Sequence, residues 1–452
     1  MLFINKLHFC GDINMEEKDR IKILHITTHM GGGVGKVISD LAVHDTQYTH
    51  SILLLEEPEK KQFIDKCYQA GIEVKVNSSQ TETVCALNNS DVVILHWWHH
   101  PLMCKFLYHF PKCSIRLILW SHVSGCTYPF LSYDFCTKFH KIFFTSQCSF
   151  QNKYWNTLQR KEIAEKAILV YGLGQLSLLK KKQDYQTKNP VVVGYIGTLT
   201  KSKLHPEFVN ICYEILQKNP QIKFVLIGDK KAGQWIESQS RQRGIEKQVE
   251  LRGYCENIND CLLEFDIFGY PLNPYHFGTT ENSILEAMAA ALPVVLINQL
   301  TEQYIIENGF DGLLSDDLEK YKENILTLAK HDTLRKYLGE NASTNVHKKF
   351  DFETNKQTFI KAVTEVMQLK TKAICFQDIV GATPFEWFTC GMHIDDKTFF
   401  QHFIYETNAA QKKEQKTKCP EIFLEQTKSS VTHFSSVYPK DKTLKFLRES
   451  LL

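Results

Sequence analysis

Two carboxylates five residues apart, Glu281 and Glu286, stand in the stretch NPYHFGTTENSILEAMAAALPVVLIN (273–298). A glycine, two threonines and an acid lead there into an apolar-faced helix, followed by a proline and a buried strand. Thr279 or Thr280 is placed to cap that helix, leaving free N–H groups aimed at an anion. The spacing lets a loop or first-turn carboxylate and a helical one address different parts of one ligand. Carboxylates suit sugar and ribose hydroxyls, because each accepts two directional hydrogen bonds. The plain alternative is a capped amphipathic helix with solvated glutamates.

Three other stretches carry polar groups just past apolar runs. HMGGGVGKVISDLA (29–42) follows IKILHITT, so a strand is predicted to run into a glycine cluster and then a helix. A P-loop needs G-x-x-x-x-G-K-[ST], but its first glycine falls on Met30 and its hydroxyl on Val37. The dinucleotide pattern G-x-G-x-x-G fails too, because its last glycine falls on Lys36 or Ile38. A glycine turn that allows close strand–helix packing is the plain reading. LWSHVSG (119–125) puts His122 past the end of a buried strand, and ILHWWHHP (94–101) does the same for histidines and tryptophans. The latter group reads either as an aromatic wall against a sugar ring or as a core or rim cluster. His96, His99 and His100 invite a metal reading, but no nearby carboxylate or ligand spacing supports one. GYIGTLTKSKLHPEFV places Lys203 beyond another strand.

The elements that must position these groups alternate. Apolar runs at 21–27, 51–55, 91–95, 115–120, 141–145 and 167–170 are separated by longer mixed segments, the pattern of a parallel sheet with crossover helices. KKKQDYQTKNP (180–190) reads as a linker. The alternation then restarts with strands predicted in VVVGYI, KFVLIGD, VELRG, DIFGY and PVVLI. Phe208, Ile211, Cys212 and Ile215 mark one helix face, with Pro206 in its first turn. Two such units suggest two Rossmann-like halves facing a cleft, with ligands at the carboxyl ends of the strands. A helix at 353–369 closes the pattern. Residues 370–452 are aromatic and then lysine-bearing, and are expected to form an ordered extension on the first half followed by a mobile segment.

Composition excludes several classes. At 452 residues the chain is too long for one core, and 43% hydrophobic with 23% charged content is ordinary for a soluble globular protein. A formal charge of +2 gives no electrostatic case for nucleic acid. The 14 cysteines follow no C-x-x-C or Cys/His ligand spacing, so they read as reduced, mostly buried residues of a cytosolic protein. No apolar run approaches the roughly 18–20 residues of a membrane span. The first twenty residues lack a signal-peptide pattern, and Met15 is an alternative start.

ILEAMAAALPVVL resembles the donor-binding signature of retaining, two-domain (GT-B) glycosyltransferases of family 4, E-G-F-G-x-x-x-x-E-A-M-A followed by small residues, proline and a strand. The resemblance implies that Glu286 binds ribose. The family's first acid falls on Gly278, so Glu281 is expected to take the catalytic, sugar-contacting role within a variant FGTTEN loop that also includes Thr279, Thr280 and Asn282. The stretch at 194–209 resembles the family's strand and G-R-L-x-x-x-K loop, with Gly197, Leu199 and Lys203 aligned. Lys203 would neutralise the donor diphosphate. The arginine position is Thr198, leaving a second positive charge to Lys201.

The resemblance covers most of 191–367, and the first half more weakly. It assigns His122 to the transferred sugar, Gly32 and Gly33 to backbone contacts across the cleft, and Lys36 to phosphate. It implies an N-terminal extension (1–20), an acceptor-side Rossmann-like domain (21–180), a nucleotide-sugar-binding domain (181–352), a closing helix (353–369) and an extension (370–452). The expected function is sugar transfer from a nucleotide-sugar to a glycan or lipid-linked acceptor, with retention of configuration, in cell-surface polysaccharide or lipopolysaccharide synthesis. No cofactor and no metal are required. The expected location is the cytoplasm, with the inner membrane face as the place to meet a lipid-linked acceptor and the tail as a peripheral membrane contact. The alternatives are a non-catalytic sugar-binding or scaffold protein and a nucleotide-sugar epimerase.

Overall fold

A computed structural model describes residues 20–452 apart from 59, 173, 177, 178, 188, 256, 407 and 426–428. The extension predicted at 1–20, with Met15, thus lies outside the described residues but for its last position. The apolar runs of the first half become β1 (Lys22–Thr27), β2 (Thr49–Leu54), β3 (Glu73–Val76), β4 (Val92–Trp97), β5 (Ser114–Ile115), β6 (Leu117–Ser121), β7 (Lys141–Phe144) and β8 (Ala167–Leu169). Seven of them form one parallel sheet in the order β3-β2-β1-β4-β6-β7-β8. The second half contributes β9 (Val191–Ile196), β10 (Ile222–Ile227), β11 (Val249–Gly253), β12 (Ile267–Tyr270), β13 (Val294–Ile297) and β14 (Leu313–Ser315). These form a second parallel sheet, β11-β10-β9-β12-β13-β14. In both sheets the order reverses beside the first strand, between β1 and β4 and between β9 and β12, where α/β sheets open a crevice for ligands.

The strands are buried on both faces, which is why they read as continuous β-branched and leucine runs; every residue of β4, β6, β12 and β13 is buried. One face of the first sheet packs under the helices Gly32–His44 and Phe352–Met367, with Ile23, Ile94, Trp120 and Phe143 against Phe359 and Val363. The other face is covered by the C-terminal extension through Phe376, Trp387, Phe388, Phe434 and Leu447. The extension also pairs strand Lys372–Ala373 (β15) antiparallel to β5. Its last element is the helix Lys442–Leu451, whose Leu444, Leu447 and Leu451 are buried, so the tail ends on the core where a mobile segment was expected.

The chain passes between the halves at Tyr171 and again at the start of the helix Phe352–Met367. Asn355 holds both passages together: its Oδ1 accepts from Tyr171 N at 2.8 Å and its Nδ2 donates to Tyr171 O at 3.0 Å. Of residues 180–190, expected to be a linker, 180–187 lie against the second half. Lys182 pairs with Asp266 at 3.2 Å with both side chains nearly inaccessible, Tyr185 donates to Ala291 O, and the buried Arg335 donates to Tyr185 O. Pro206 precedes the helix Phe208–Lys218, which Glu207 begins without a side-chain cap. Cys255 and Cys261 form a disulfide, which corrects the all-reduced expectation at that turn.

Gly35 shows what the glycine cluster does. A Cβ there would lie 2.0 Å from Met30 O, so the first helix can start this close to β1 only without a side chain at 35. Gly32 has φ +63°, a conformation that L side chains rarely adopt, and nothing within 4 Å of its Cβ position. Because a backbone carbonyl cannot give way cheaply, Gly35→Ala is expected to lower stability by about 1–3 kcal/mol despite alanine's helix preference. Urea denaturation measures this, and a stabilised variant would refute the packing account.

Candidate active site

The second-half wall of the cleft is built at the ends of β9 and β12. Lys203 follows β9 and Tyr270 ends β12, and both converge on Glu281. Lys203 Nζ is 2.5 Å from Glu281 Oε1, and Tyr270 Oη donates to Oε2 at 3.1 Å. The two charged side chains are only 10% and 6% exposed, so the pair is buried. Burial pushes the Glu281 carboxyl up, but Lys203 and His276 outweigh it, and the net shift is downward. Glu281 sits in the left-handed region at φ 51°, a strained conformation for a residue with a side chain. Gly278 explains how it fits: a Cβ at 278 would fall 1.6 Å from Glu281 Oε1 and 2.8 Å from Lys203 Nζ.

The threonines do not cap the helix Asn282–Ala289. Its N-cap position is Glu281, whose side chain makes no capping hydrogen bond. Thr280 is turned across the cleft, where its hydroxyl donates to Thr145 O at 2.8 Å and accepts from Gly172 N at 3.1 Å. Thr279 O accepts from Thr301 Oγ1 at 2.6 Å, and Thr301 in turn meets Ser146 at 2.8 Å. The threonines and Ser146, with Tyr171, Tyr304 and Phe350, line a cavity of about 180 Å³. Gly197 packs against Tyr195, whose hydroxyl donates to Thr198 O at 2.9 Å. Lys201 lies over the Trp235 ring.

The first half answers with its glycine-led helix. Lys36 reaches across to Glu286, with Nζ 2.6 Å from Oε1. A Cβ on Gly33 would lie 3.5 Å from Asn282 Nδ2. Asn282 Oδ1 is buried without a hydrogen-bond partner. Gly32, Gly33, Lys36, Asn282 and Glu286 therefore share one place, and Lys203, Gly278 and Glu281 share another in the same cleft. Sequence reasoning missed Tyr270, His276, Thr145 and Thr301; Tyr270 alone carried a signal, as the polar end of a buried strand.

His122 lies just beyond β6 and is partly exposed. Its Nε2 is 2.8 Å from His96 Nδ1, and burial lowers its pKa to about 3. Its Nδ1 lies 3.7 Å from a Cβ position on Gly172, and Thr280 Oγ1 lies 3.6 Å from the same position. The histidines of 94–101 divide. His96 is in the core, and His99 is buried against the extension, where its Nε2 donates to Trp387 O at 2.9 Å. His100 does have a carboxylate neighbour, contrary to the sequence expectation: with His29 it brackets Glu56 at 3.7 and 3.9 Å. Metal ligation there conflicts with the protons. Nδ1 of His29 accepts from Gly31 N and Nδ1 of His100 from Leu102 N, so each Nε2 carries N–H toward Glu56.

Residues 179–345 match the family Glycosyl transferases group 1. The chain is 23% identical over 173 residues to the poly(ribitol-phosphate) alpha-N-acetylglucosaminyltransferase of Staphylococcus aureus, covering 38% of this chain and 34% of that one. It is 25% identical over 193 residues to the capsular polysaccharide biosynthesis glycosyltransferase CapM of the same species, covering 40% and 50%. The chain thus spans about a third to a half of the length of these curated relatives. Among solved structures, Anabaena HepE in complex with UDP and glucose superposes with TM-score 0.62 at 17% identity, covering 76% of this chain and all of that one. The lipopolysaccharide outer core galactosyltransferase WaaB superposes at 0.56 with 15% identity, covering 76% and 99%. The two facing parallel sheets are those of a GT-B fold.

Two stability effects follow from the buried charges. Glu281→Gln leaves the Lys203 ammonium without its anion and is expected to cost about 3–5 kcal/mol, much of it regained in the double variant Lys203→Met, Glu281→Gln. Urea titration of the three proteins measures this, and equal midpoints would rule the pair out as a structural element. Burial, then neighbouring histidines, lowers His25 and His96 well below the usual imidazole range. Folding stability is therefore full above the unfolded value near 6.5 and falls as pH drops below it, by about 3 kcal/mol per pH unit for the two together. Carboxylates with lowered pKa, Glu281 included, lose their contribution only below about pH 4.3, which leaves the window from 6.5 to 4.5 to the histidines. Urea midpoints at pH 7.0 and 5.5 measure the slope, and equal values would contradict it.

Proposed function

We propose that this protein is a glycosyltransferase that moves a sugar from a nucleotide-sugar to a glycan or lipid-linked acceptor, with retention of configuration, in the synthesis of a cell-surface polysaccharide. One observation carries the reading: the Glu281 carboxylate occupies the space above Gly278, at the position where the resembled signature has its first acid. An acid three residues later, folded back by a left-handed backbone, supplies the carboxylate that glycine lacks. Two acids then face the cleft as the signature requires, Glu281 toward the sugar and Glu286 toward the ribose.

In this mechanism the bond between the sugar's anomeric carbon and the diphosphate breaks, the acceptor hydroxyl oxygen forms the new bond on the same face, and the hydroxyl's proton passes to the leaving diphosphate oxygen. Charge grows on the leaving diphosphate, and Lys203 with the uncapped N–H groups of the helix Asn282–Ala289 stabilises it. Glu281 lies where its negative charge favours an oxocarbenium-like sugar, and His122 faces the same space from the first half. Gly32, Gly33, Gly197, Thr198, Thr279, Thr280 and Asn282 form the walls against which the donor is held. Closure of the two halves orders the reactants and excludes water. Lysine and helix N–H groups neutralise the phosphates in this scheme, so no metal or cofactor takes part. The proposed place of action is the cytoplasmic side, at the inner membrane face where a lipid-linked acceptor is met.

Thermal-shift measurements against UDP-, GDP-, ADP- and CMP-sugars test this directly. One nucleotide class is expected to raise Tm, and Glu286→Gln to weaken that donor's binding about 10- to 100-fold, the worth of a hydrogen bond to a charged group. Absence of any nucleotide-dependent shift would favour the scaffold reading. Donor consumption with no acceptor product would favour an epimerase.

A further inference from the structure

The first sheet carries a row of four histidines that ends at the cleft. Asp45 Oδ2 lies 3.0 Å from His50 Nε2, and His50 Nδ1 lies 2.8 Å from His25 Nε2. His25 Nδ1 lies 3.0 Å from His96 Nε2, and His96 Nδ1 lies 2.8 Å from His122 Nε2. Each inner ring uses both nitrogens, one toward each neighbour. The sheet register explains the spacing. Ile23 pairs with His50, His25 with Ile94, and His96 with Trp120. Each step therefore crosses one strand, from β2 to β1, β4 and the end of β6, and climbs two residues toward the carboxyl edge on the same face. Ring centroids repeat at 5.1, 5.2 and 5.1 Å, close to the strand spacing of about 4.8 Å.

Such a row has only two neutral orders of its protons, and its inner end selects one. Asp45 is buried and already accepts Gln47 N at Oδ1, and a carboxylate offers nothing but acceptors. His50 must then donate from Nε2 and accept at Nδ1; His25 and His96 must do the same in turn. His122 donates from Nε2 to His96, which leaves its Nδ1 a lone pair. That nitrogen faces Gly172, 3.7 Å from where a Cβ would stand there, on a side chain that is partly exposed. We infer that Asp45, His50, His25 and His96 are positioning residues that fix the tautomer of His122, so that it presents a hydrogen-bond acceptor, and not a donor, to the ligand in the cleft.

Burial supports the neutral state, because His25 and His96 are 0% exposed and both are held well below the usual imidazole pKa, by burial first and neighbouring rings second. Trp120 stacks on His96 and His122 at 5.3 and 5.7 Å and holds the last two rings in line. A lone pair at this place selects a ligand group that carries a proton to give: a hydroxyl suits it, a phosphate or carbonyl oxygen does not. That the hydroxyl belongs to a sugar rests on the glycosyltransferase reading; the order of the protons does not.

The test is a long-range proton–nitrogen correlation spectrum of the full chain with 15N-labelled histidine at pH 8, where His122→Gln identifies the His122 signals by their loss. The expected wild-type pattern is a protonated Nε2 and an unprotonated Nδ1 at His122. In Asp45→Asn the amide can donate to His50, the order can reverse, and His122 is expected to show protonated Nδ1 in part or in full. A wild-type His122 protonated at Nδ1, or an Asp45→Asn spectrum identical to wild type at His122, would overturn the inference. The wild-type spectrum decides even if Asp45→Asn does not fold. If donor binding is found, Asp45→Asn is expected to lower kcat/KM about tenfold, the worth of one hydrogen bond. If no nucleotide-sugar binds, the glycosyltransferase reading fails while the tautomer pattern still stands or falls on the spectrum.

Discussion

Parallel strands deliver all their carboxyl ends to one edge of a sheet, and that constraint decides which polar side chains of this protein can meet. A chain leaving β1 enters the glycine-led helix that carries Lys36; chains leaving β9 and β12 carry Lys203 and Glu281. Neighbouring strands of the second sheet bring together groups 78 residues apart in sequence, and the facing edges of the two sheets bring together groups 250 residues apart, each as an ion pair. The backbone cost of bringing them together is borne by the hydrophobic faces of the sheets, not by the ion pairs, whose desolvation largely offsets their attraction. The cleft is thus a by-product of strand direction, and its chemistry depends on which residue types follow each strand.

The same constraint accounts for what the sequence made legible. Continuous runs such as VVILHW and VVVGYI announce strands covered on both faces, and they were found. Glu73–Val76 was not predicted, because its EVKV alternates and lies at the sheet edge with every second residue exposed. Leu313–Ser315 is too short to stand out from its loop. The polar composition of 180–190 marked a linker, yet lysine and tyrosine can bury their stems and keep one polar atom satisfied, as Lys182 and Tyr185 do. Hydrophilicity reports the solvent preference of a side chain, not whether the fold will offer it a partner.

At the site, residue types were legible and partnerships were not. Glycine at 278 and the acid at 281 read as a broken motif, while in space the missing side chain and the displaced carboxylate are complementary. The threonines are good caps by type, but a hydroxyl that can reach a carbonyl on the facing half satisfies two backbone groups there instead of one in its own helix. The histidines at 25, 50, 96 and 122 lie in or next to separate strands; the sequence pointed to His122 and to the group around His96, and gave His25 and His50 no role. Their shared face follows only from strand order and register, and neither is encoded within any one segment.

In the proposed glycosyltransferase mechanism, donor binding in this cleft is an exchange of partners. Lys36 and Glu286, like Lys203 and Glu281, are already paired, with side chains no more than 26% exposed. In that mechanism a diphosphate arriving at Lys203 would replace one anion by another, so the ammonium would not be desolvated again at that step, and Glu281 would be released toward the sugar. A ribose at Glu286 likewise takes the place of Lys36, whose charge is then free for phosphate. Each substitution loses one charge-assisted hydrogen bond and gains one, so net affinity must come from the ligand's remaining contacts and from closure of the halves. The preformed pairs fix the positions of both carboxylates before any ligand is present. In the proposed mechanism that ordering would be complete when the donor arrives, and its binding energy would go into closing the cleft.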